Sequence, residues 1–195
     1  MPPSVRFSRE AVLNAAYQLV RRDGVEALNA RAVARELGGS TQPIFRLFTG
    51  MDELRQAVTE LALRSWKDSL QERIRVSHFP YLSIGMAYLL FARDEAQLFK
   101  LLFMRDRISD GSISDYNLDW GIPLIEDSVK VDVSTARKLY AASWLYCHGL
   151  AVAIATKYLP CISECQMRQM LVSSIESAAM QLNVMLPTID QCKNI

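Results

Sequence analysis

The sequence predicts an all-α protein of about nine helices. Apolar residues recur at spacings of three and four through most of the chain, which is the period of a helix with one buried face. No segment shows the alternation of apolar and polar residues that a half-buried strand requires. Half of the 195 residues are hydrophobic and 22% are charged, so the chain can form a packed core.

The first helix is predicted from Ser8 to about Asp23. The Ser8 side chain can accept a hydrogen bond from an N–H group of the first turn, and Gly24 allows the backbone to leave the helix. The apolar face of this helix consists of Val12, Leu13, Ala16, Leu19 and Val20. We expect residues 1–7 to form a loose arm in which Arg6 can reach a phosphate or a minor groove.

Residues 29–48, with the sequence NARAVARELGGSTQPIFRLF, are predicted to form two short helices joined by a glycine pair. Asn29 is the expected cap of the first helix and Ser40 that of the second, whose buried residues are Ile44 and Phe48. The outward-facing residues are Arg31, Arg35, Thr41, Gln42 and Arg46. This arrangement is typical of a helix-turn-helix, which places its second helix on base edges and phosphates. Two packed helices with a solvated face would give the same pattern.

Six longer segments with helical periodicity follow. They comprise residues 51–76, 81–92, 95–104, 116–131, 135–158 and 163–186. Asp94 and Ser134 are the expected caps of the third and fifth segments, and Pro187 is the expected end of the last one. We therefore predict a helix-turn-helix domain over residues 1–50, a connecting helix over 51–76 and a second helical domain over 77–195.

The charge of the chain is unevenly distributed. The formal net charge of +1 gives no global indication of nucleic-acid binding. Residues 1–50, however, contain seven Arg and four acidic residues, a net charge of +3, which leaves −2 for the remainder. Residues 1–66 contain no Lys, so any attraction to a phosphate backbone rests on Arg.

Neither a membrane segment nor a secretion signal is apparent. No stretch reaches the ~18 unbroken apolar residues of a membrane span, and the N-terminus lacks an apolar signal core, so we expect a cytoplasmic protein. The four cysteines form no CxxC pair, and no metal site or other cofactor is expected. Reduced thiols are the first interpretation, and a redox switch formed by Cys161 and Cys165 is the alternative.

The order and spacing of residues around the helix-turn-helix resemble a known family. The matching residues are Ala15-Ala16, Leu19, Gly24, Val33-Ala34, Leu37-Gly38, Ser40, Ile44-Phe45-Arg46, Phe48 and Asp52-Glu53-Leu54. With them, the N-terminal part of the chain resembles the tetracycline-repressor (TetR) family of bacterial transcription regulators. The resemblance implies a homodimer that binds a near-palindromic DNA operator, by default as a repressor, and releases it when a small molecule binds.

The later helices are similar, more loosely, to the ligand-binding domains that follow this motif in the family. Residues 144–150, WLYCHGL, resemble the Trp-His-Gly (WHG) segment of one subgroup, and residues 88–92 and 98–103 are also similar to it. The resemblance implies a cavity for a small, largely apolar ligand. The residues expected to line it are Trp66, Met86, Phe103, Met104, Trp120, Trp144 and His148. An ordinary packed core, with His148 buried and hydrogen-bonded, is the alternative.

The chain departs from the family pattern near the second helix of the motif. Phe45 stands where Tyr is common, Leu47 where His is frequent, and Gly50-Met51 where Ser-Lys often begins the next helix. These changes remove a hydroxyl and an ammonium group that would contact phosphates. We therefore expect fewer phosphate contacts and a shallower salt dependence of binding, with Arg46 contributing more than usual.

The residues predicted to bind DNA lie mostly in and around the helix-turn-helix. They are Arg6, Arg31, Ser40, Thr41, Gln42, Phe45, Arg46 and Met51. Gln42 and Thr41 lie in the first turn of the second helix, where Gln can pair with adenine and the Thr methyl can touch a thymine methyl. For Gln42, a phosphate contact or simple solvation is the alternative.

The last two predicted helices, residues 135–158 and 163–186, are the expected dimer interface. The first is apolar on more than one face, which suits a helix that packs on its own domain and on a partner. Small residues in the second helix would allow close approach; they are Ser173, Ser174, Ser177, Ala178 and Ala179. The connecting helix would transmit ligand binding to the DNA-binding domain.

Two other classes of function are considered. One is a redox- or partner-responsive DNA-binding regulator without a small-molecule ligand. The other, more remote, is a helical enzyme. The sequence contains no Ser-His-Asp pattern, Gly-rich phosphate loop or HExxH motif, and two histidines leave little scope for acid–base catalysis.

Overall fold

The computed structural model describes residues 7–75, 77, 79–105 and 118–187, with the backbone alone for residues 118–120. These residues form α-helices and no strand, so the all-α prediction of about nine helices is confirmed. The helices are α1 (Arg9–Asp23), α2 (Ala30–Glu36), α3 (Gln42–Leu47), α4 (Met51–Arg75), α5 (Pro80–Asp94), α6 (Ala96–Phe103), α7 (Leu118–Ile125), α8 (Val133–Ala155) and α9 (Glu164–Gln181). A 3-10 turn at Val25–Ala27 and a π-helical turn at Glu126–Lys130 complete them.

The chain divides into two packing units. The first comprises Met1–Trp66 and Glu95–Arg105, and the second comprises Lys67–Asp94 and Asp106–Ile195. Helix α6 therefore packs with the N-terminal helices, and α4 contributes residues to both units. The functional division at residues 50 and 76 stays a prediction, because packing alone does not assign a role to a segment.

The first unit is built around α1, which packs against α2 and α6. Four residues of its predicted apolar face are buried, and Leu13 is half-buried; the four are Val12, Ala16, Leu19 and Val20. Ile44 and Phe48 are also buried, as predicted. The ring of Phe103 in α6 packs edge-on against Trp66, with ring centroids 5.8 Å apart.

Two predicted helix caps are confirmed and one is wrong in the first unit. The Ser8 side chain accepts a hydrogen bond from the Ala11 N–H group at 3.1 Å, and Asn29 caps α2. Helix α3, however, begins at Gln42 and follows Thr41, so Ser40 is not its cap. Thr41 makes no side-chain capping bond either, because its backbone is already helical and its hydroxyl is poorly placed to reach the first N–H groups.

The predicted caps of α6 and α8 are also wrong by one or two residues. Helix α6 follows Glu95, and the Asp94 carboxylate pairs instead with Arg93 at 2.7 Å. Helix α8 is capped by Asp132, whose Oδ1 accepts the N–H groups of Ser134 and Thr135 at 2.8 and 3.0 Å. A carboxylate two residues upstream of Ser134 reaches both orphan donors and also complements the helix dipole, which a Ser134 hydroxyl could not do.

The last two helices end earlier than predicted. Helix α8 stops at Ala155, before Lys157, which has a φ of +61°. Helix α9 stops at Gln181 rather than at Pro187, because Asn183 takes a left-handed φ of +54°. Its N–H group bonds to the Met180 carbonyl at 3.1 Å, and the next N–H group bonds back to residue 179. Asn thus ends α9 in the way that Gly often does.

The second unit packs α5 against α8 and α9, with α7 against α8. Almost every residue of α5 from Leu82 to Ala92 is buried, so this helix forms the centre of the unit. Gly121 lets α7 approach α8 closely: a Cβ atom there would lie 2.4 Å from the Tyr140 ring. Among the described residues, no helix combines the length and apolarity needed to cross a membrane.

Candidate nucleic-acid interface and internal cavity

The outer face of α3 is formed by Gln42, Phe45 and Arg46. All three are exposed and lie three and four residues apart, so they occupy one side of the helix. The buried side is anchored by Ile44, which has no solvent exposure, and by Phe48 directly after the helix. This anchoring fixes the rotation of α3 and presents the outer face to solvent. The Phe45 side chain is 55% exposed.

Helix α2 carries two arginines on its own exposed side. Arg31 and Arg35 lie four residues apart, opposite the buried Val33. The start of the helix is fixed by Asn29, whose Oδ1 accepts the N–H group of Ala32 at 3.0 Å. Both guanidinium groups therefore project from a short helix whose position is set by its cap and its buried face.

Three other arginines of the first unit form ion pairs with carboxylates. The pairs are Arg9–Glu53 at 2.9 Å, Arg22–Glu36 at 2.7 Å and Arg21–Glu95 at 2.7 Å. Arg22 also donates to Asp23 at 2.8 Å, and its hydrogen bond to Glu36 lowers the pKa of that carboxyl group. These pairs lie along α1 and neutralise much of its positive charge.

Arg31, Arg35 and Arg46, by contrast, form no ion pair with any residue that the structure describes. Arg55 and Arg64 on α4 are likewise exposed and form no ion pair with the described residues, so three of these five unpaired arginines of the first unit lie on the outer faces of α2 and α3. Guanidinium groups on such a face suit phosphate oxygens, and a Gln beside them suits a base edge.

The turn between α3 and α4 is held by Glu53. Its Oε2 accepts hydrogen bonds from the Thr49 N–H group at 2.6 Å and from the Thr49 hydroxyl at 2.9 Å. The Thr49 N–H bond is the main reason why the pKa of Glu53 is lowered, and Arg9 adds to it. The Arg9 guanidinium also lies 4.4 Å from the centroid of the Phe48 ring. These contacts tie the end of α3 to α1 and α4, so the outer face of α3 has a rigid support.

The remaining residues predicted to bind DNA occupy less prominent positions. Ser40 is exposed in the turn before α3, whereas Thr41 and Met51 are half-buried at the starts of α3 and α4. Arg6 lies outside the described residues. Phe7, the first described residue, places its ring near Gly39, since a Cβ atom added there would be 3.1 Å from it.

The second unit contains an internal cavity of about 30 Å³ among α5, α8 and α9. It is lined by Tyr81, Ile84, Gly85, Tyr88, Tyr140, Ser143, Trp144, Cys147, Leu171 and Ile175. This volume holds one or two water molecules and is far smaller than a pocket for an organic ligand, which typically measures ~300–1,000 Å³.

Polar groups join α5 to α8 across this cavity. The Tyr81 hydroxyl hydrogen-bonds to Ser143 Oγ. Because the Ser143 hydroxyl donates to the Leu139 carbonyl at 2.7 Å, Tyr81 is the donor of the pair. The Cys147 thiol approaches the Gly85 carbonyl at 3.7 Å. Burial raises the pKa of Cys147 to about 12 and also raises the pKa of Tyr81, so both groups stay neutral.

A larger pocket of about 300 Å³ lies beside this cavity in the second unit. Its lining is Phe79, Pro80, Tyr81, Leu82, Asp127, Ser128, Val129, Ile175, Leu186 and Pro187. Tyr81 and Ile175 belong to the linings of both spaces. They therefore form a shared wall between the cavity and the pocket.

Two of the predicted ligand residues come together in this unit. The Trp144 indole lines the cavity and stacks on the His148 imidazole, with ring centroids 5.0 Å apart and planes inclined by 11°. His148 Nδ1 hydrogen-bonds to the Tyr88 hydroxyl at 2.9 Å. Trp144 Nε1 is buried without a hydrogen-bond partner among the described residues. Trp144 and His148 are thus neighbours, and His148 contacts the cavity through Tyr88; a ligand role for either stays a prediction.

The other predicted ligand residues are placed elsewhere. Met86 is buried in α5 but lies outside the linings of both described spaces. Trp66, Phe103 and Met104 belong to the first packing unit. The side chain of Trp120 lies outside the described part of the chain. Trp144 and His148 are therefore brought together, and Trp66, Phe103 and Met104 are not placed with them.

Sequence reasoning missed Tyr81 and Ser143, which close the cavity on one side. A periodic pattern could have identified them. Tyr81 and Tyr88 are seven residues apart on α5, with residues 84 and 85 between them, and Tyr140 and Cys147 repeat this spacing on α8. Polar or aromatic residues at this spacing indicate one face of a helix. Within the described residues, no three His, Cys, Asp or Glu side chains are arranged to hold a metal ion.

The fold resembles solved structures, although no family model and no curated protein matches the sequence. A protein of unknown function from Rhodococcus sp. RHA1 has a TM-score of 0.67 and 18% identity, covering 93% of this chain and 98% of its own. A transcriptional regulator from the same organism has a TM-score of 0.60 and 16% identity, covering 90% of this chain and 97% of its own. At such identities the likeness establishes the fold, and it extends over nearly the whole chain.

Proposed function

We propose that the protein is a cytoplasmic, ligand-responsive bacterial transcriptional regulator of the TetR type. In this proposal a homodimer binds a near-palindromic operator as a repressor and is released by a small, largely apolar ligand. The observation that carries it is the first unit's outer surface, where exposed Gln42, Phe45 and Arg46 stand on a rigidly supported helix. The fold that the chain shares with a transcriptional regulator supports the same assignment.

The charge pattern supports DNA as the partner. The arginines of α1 form ion pairs with carboxylates, whereas Arg31, Arg35 and Arg46 form no ion pair within the described residues. Arg35 acts on Glu36 only through its charge, as a minor contribution to the lowered pKa of that carboxyl group. Ion pairs with the protein's own carboxylates would have to be broken before an arginine could bind a phosphate, so the unpaired groups are the ones preorganised for it. In this proposal α3 enters the major groove and α2 lies against the backbone.

The dimer is proposed to form through the exposed face of α8. Leu145 and Tyr146 are 65% and 41% exposed on this helix. They lie on a face that also carries Ala141, Ala142 and Gly149 and has no charged side chain between residues 141 and 149; the exposed Lys138 lies one turn upstream on it. Such a face is costly to leave in water and lets a second helix approach closely. On α9, Ser173, Ser177 and Met180 are exposed, whereas the predicted interface residues Ala178 and Ala179 are buried within their own unit.

The ligand is proposed to bind in the second unit, where the cavity and the larger pocket meet at Tyr81. The cavity alone admits only water, so binding would require the shared wall to move. Helix α4 contributes to both packing units and is the proposed route by which this movement alters DNA binding. A ligand acts in this way only if it favours the state that does not bind DNA.

The decisive experiment is selection of bound sequences from a random double-stranded DNA pool by the purified full-length protein. The expected result is one enriched near-palindrome, with half-sites about one helical turn apart. The matched control is a variant in which Gln42, Phe45 and Arg46 are all changed to Ala, which should enrich no sequence while retaining the wild-type circular dichroism spectrum. Failure of the wild-type protein to enrich any sequence would refute the proposed function.

A second candidate is a redox-responsive DNA-binding regulator. Cys161 and Cys165 are exposed free thiols just before and within α9, whereas Cys147 is buried. Oxidation of exposed thiols near the proposed dimer helices could change dimerisation without any ligand. In this case peroxide would abolish operator binding and the double variant Cys161→Ser, Cys165→Ser would resist it. Equal sensitivity of the variant and the wild-type protein would exclude this mechanism.

A further inference from the structure

We propose that Phe45 reads the 5-methyl group of a thymine in the operator. The inference rests on the proposed function and adds to it one residue that determines sequence specificity. It assigns the Phe45 ring to a base contact in the major groove, and it names the chemical group that the ring recognises.

The first step is that Phe45 takes no part in the core. Its side chain is 55% exposed, while the preceding Ile44 and the later Phe48 are buried. The rotation of α3 is fixed by these two anchors, and the helix end is held by the Thr49–Glu53 hydrogen bonds. The ring cannot turn into the unit without unpacking α3, so its apolar surface is directed at whatever α3 binds.

The second step concerns the neighbours of Phe45. Gln42 lies one helical turn before it and Arg46 directly after it, and both are exposed on the same face. Arg46 has no acidic partner among the described residues, and the unpaired Arg31 and Arg35 lie on the exposed side of α2. An aromatic ring set among cationic and amide groups is suited to a polyanion with some apolar surface, and poorly suited to an apolar protein groove.

The third step is the chemistry of the major groove. Its hydrogen-bonding atoms belong to base edges, and its apolar group is the thymine methyl. A phenyl ring has no donor with which to bind a phosphate oxygen or a base edge. It gains most by excluding water from a methyl group, and Gln42 on the same face can bond to a neighbouring base. Apolar contact of Phe with the thymine methyl is an established form of base recognition.

The test uses deoxyuridine, which pairs as thymine does but lacks the methyl group. Each thymine of the selected operator is replaced in turn in both half-sites, and the Kd is measured by fluorescence anisotropy with full-length protein. At one symmetry-related position we expect binding to weaken roughly fourfold for each half-site, hence roughly 15-fold for the operator, as for the loss of one buried methyl group. The same measurements are made with Phe45→Ala and Phe45→Leu.

Phe45→Ala should bind the thymine operator more weakly and should not distinguish deoxyuridine from thymine at that position. Phe45→Leu keeps an apolar side chain and should retain part of the discrimination. If Phe45→Ala binds too weakly to measure, the test compares the wild-type protein with Phe45→Leu. The ratio of the Kd values for the deoxyuridine and thymine operators should then be smaller for Phe45→Leu. Val133→Ala truncates an exposed apolar residue of the second unit and should behave as the wild-type protein does.

Three outcomes would overturn the inference. Wild-type binding that is insensitive to methyl removal at every thymine would show that no methyl is read. Unchanged sensitivity in Phe45→Ala would show that another residue reads it, and loss of that sensitivity in Thr41→Ser would identify Thr41 as the reader. Absence of any enriched sequence would remove the proposed function and the inference together. If a palindrome is enriched but removal of its thymine methyl groups does not weaken binding, the inference about Phe45 is wrong and the proposed function stands.

Discussion

The unpaired arginines on α2 and α3 predict a specific salt dependence of operator binding. Arg31, Arg35 and Arg46 are changed to Gln one at a time, which removes the charge but keeps a polar side chain. The matched control is Arg22→Gln, because Arg22 is also an exposed arginine of the same unit but is paired with Glu36 and Asp23. All four side chains lie at the surface, so each variant should retain its fold.

The magnitude follows from counting phosphate contacts in a dimer. Each neutralised phosphate contributes about 0.9 to the slope of log K against log salt, so three arginines in each of two protomers give a slope of about −5. Between 50 and 200 mM salt the wild-type protein should then lose affinity roughly 10³-fold. Each single variant removes two contacts, lowers the slope by about 1.8 and should lose affinity only roughly 10²-fold over the same range.

The assay is fluorescence anisotropy of a labelled operator at four or more salt concentrations, with thermal melting of every variant as a folding control. Arg22→Gln should keep the wild-type slope, because its guanidinium group is already neutralised by carboxylates. The reasoning would be refuted if Arg22→Gln lowered the slope as much as Arg46→Gln, or if none of the three unpaired arginines changed it. A wild-type slope much steeper than −5 would indicate further contacts, such as one from Arg6.

Three other predictions concern the second unit. Leu145→Glu should convert a dimer to monomers in sedimentation velocity, because it buries a charge in the proposed interface, whereas Lys67→Glu, at an exposed position of α4, should leave the dimer intact. Gly121→Ala should destabilise the protein by about 1–3 kcal/mol in denaturant unfolding, since its Cβ would lie 2.4 Å from the buried Tyr140 ring; an unchanged midpoint would contradict this. In the native protein at pH 8, Cys147 should resist iodoacetamide because burial raises its pKa to about 12, while the exposed thiols near α9 should react, as peptide mapping by mass spectrometry would show.

The parts of the fold that the sequence predicts correctly depend on short-range rules. Ser8 and Asn29 cap helices by bonding to N–H groups three residues ahead, and each contact involves only neighbouring positions. The buried pair Ile44 and Phe48 follows from the four-residue spacing of a helix face. Such features need no knowledge of the rest of the chain.

The errors at helix ends have a different origin. In the sequence VDVST at the start of α8, both Asp132 and Ser134 are good capping residues, and propensity alone does not choose between them. The structure selects Asp132 because its carboxylate reaches two N–H groups and the Thr135 hydroxyl. For α9, Pro187 is a strong breaker, but Asn183 comes first in the chain and adopts the left-handed conformation that ends the helix.

The surface of the first unit could not be derived from the sequence at all, because its charge depends on long-range pairing. Arg9 and Glu53 are 44 positions apart, and Arg21 and Glu95 are 74 positions apart. Glu95 reaches Arg21 only because α6 packs with the N-terminal helices. A count of seven arginines and four acids in residues 1–50 therefore cannot distinguish charges that are available from those that are satisfied.

The size of the internal cavity constrains how a ligand could act in the proposed mechanism. At about 30 Å³ the cavity is too small for an organic molecule, so a ligand that occupied it would have to enlarge it. Opening it toward the 300 Å³ pocket displaces Tyr81, whose hydroxyl then loses Ser143 as an acceptor, while Ser143 keeps its bond to the Leu139 carbonyl. This movement leaves the Tyr81 O–H unsatisfied, at a cost of about 1–3 kcal/mol if it stays buried. An effector that carries one hydrogen-bond acceptor on an apolar body would restore that bond, whereas a purely apolar one would not, and this difference should separate strong effectors from weak ones.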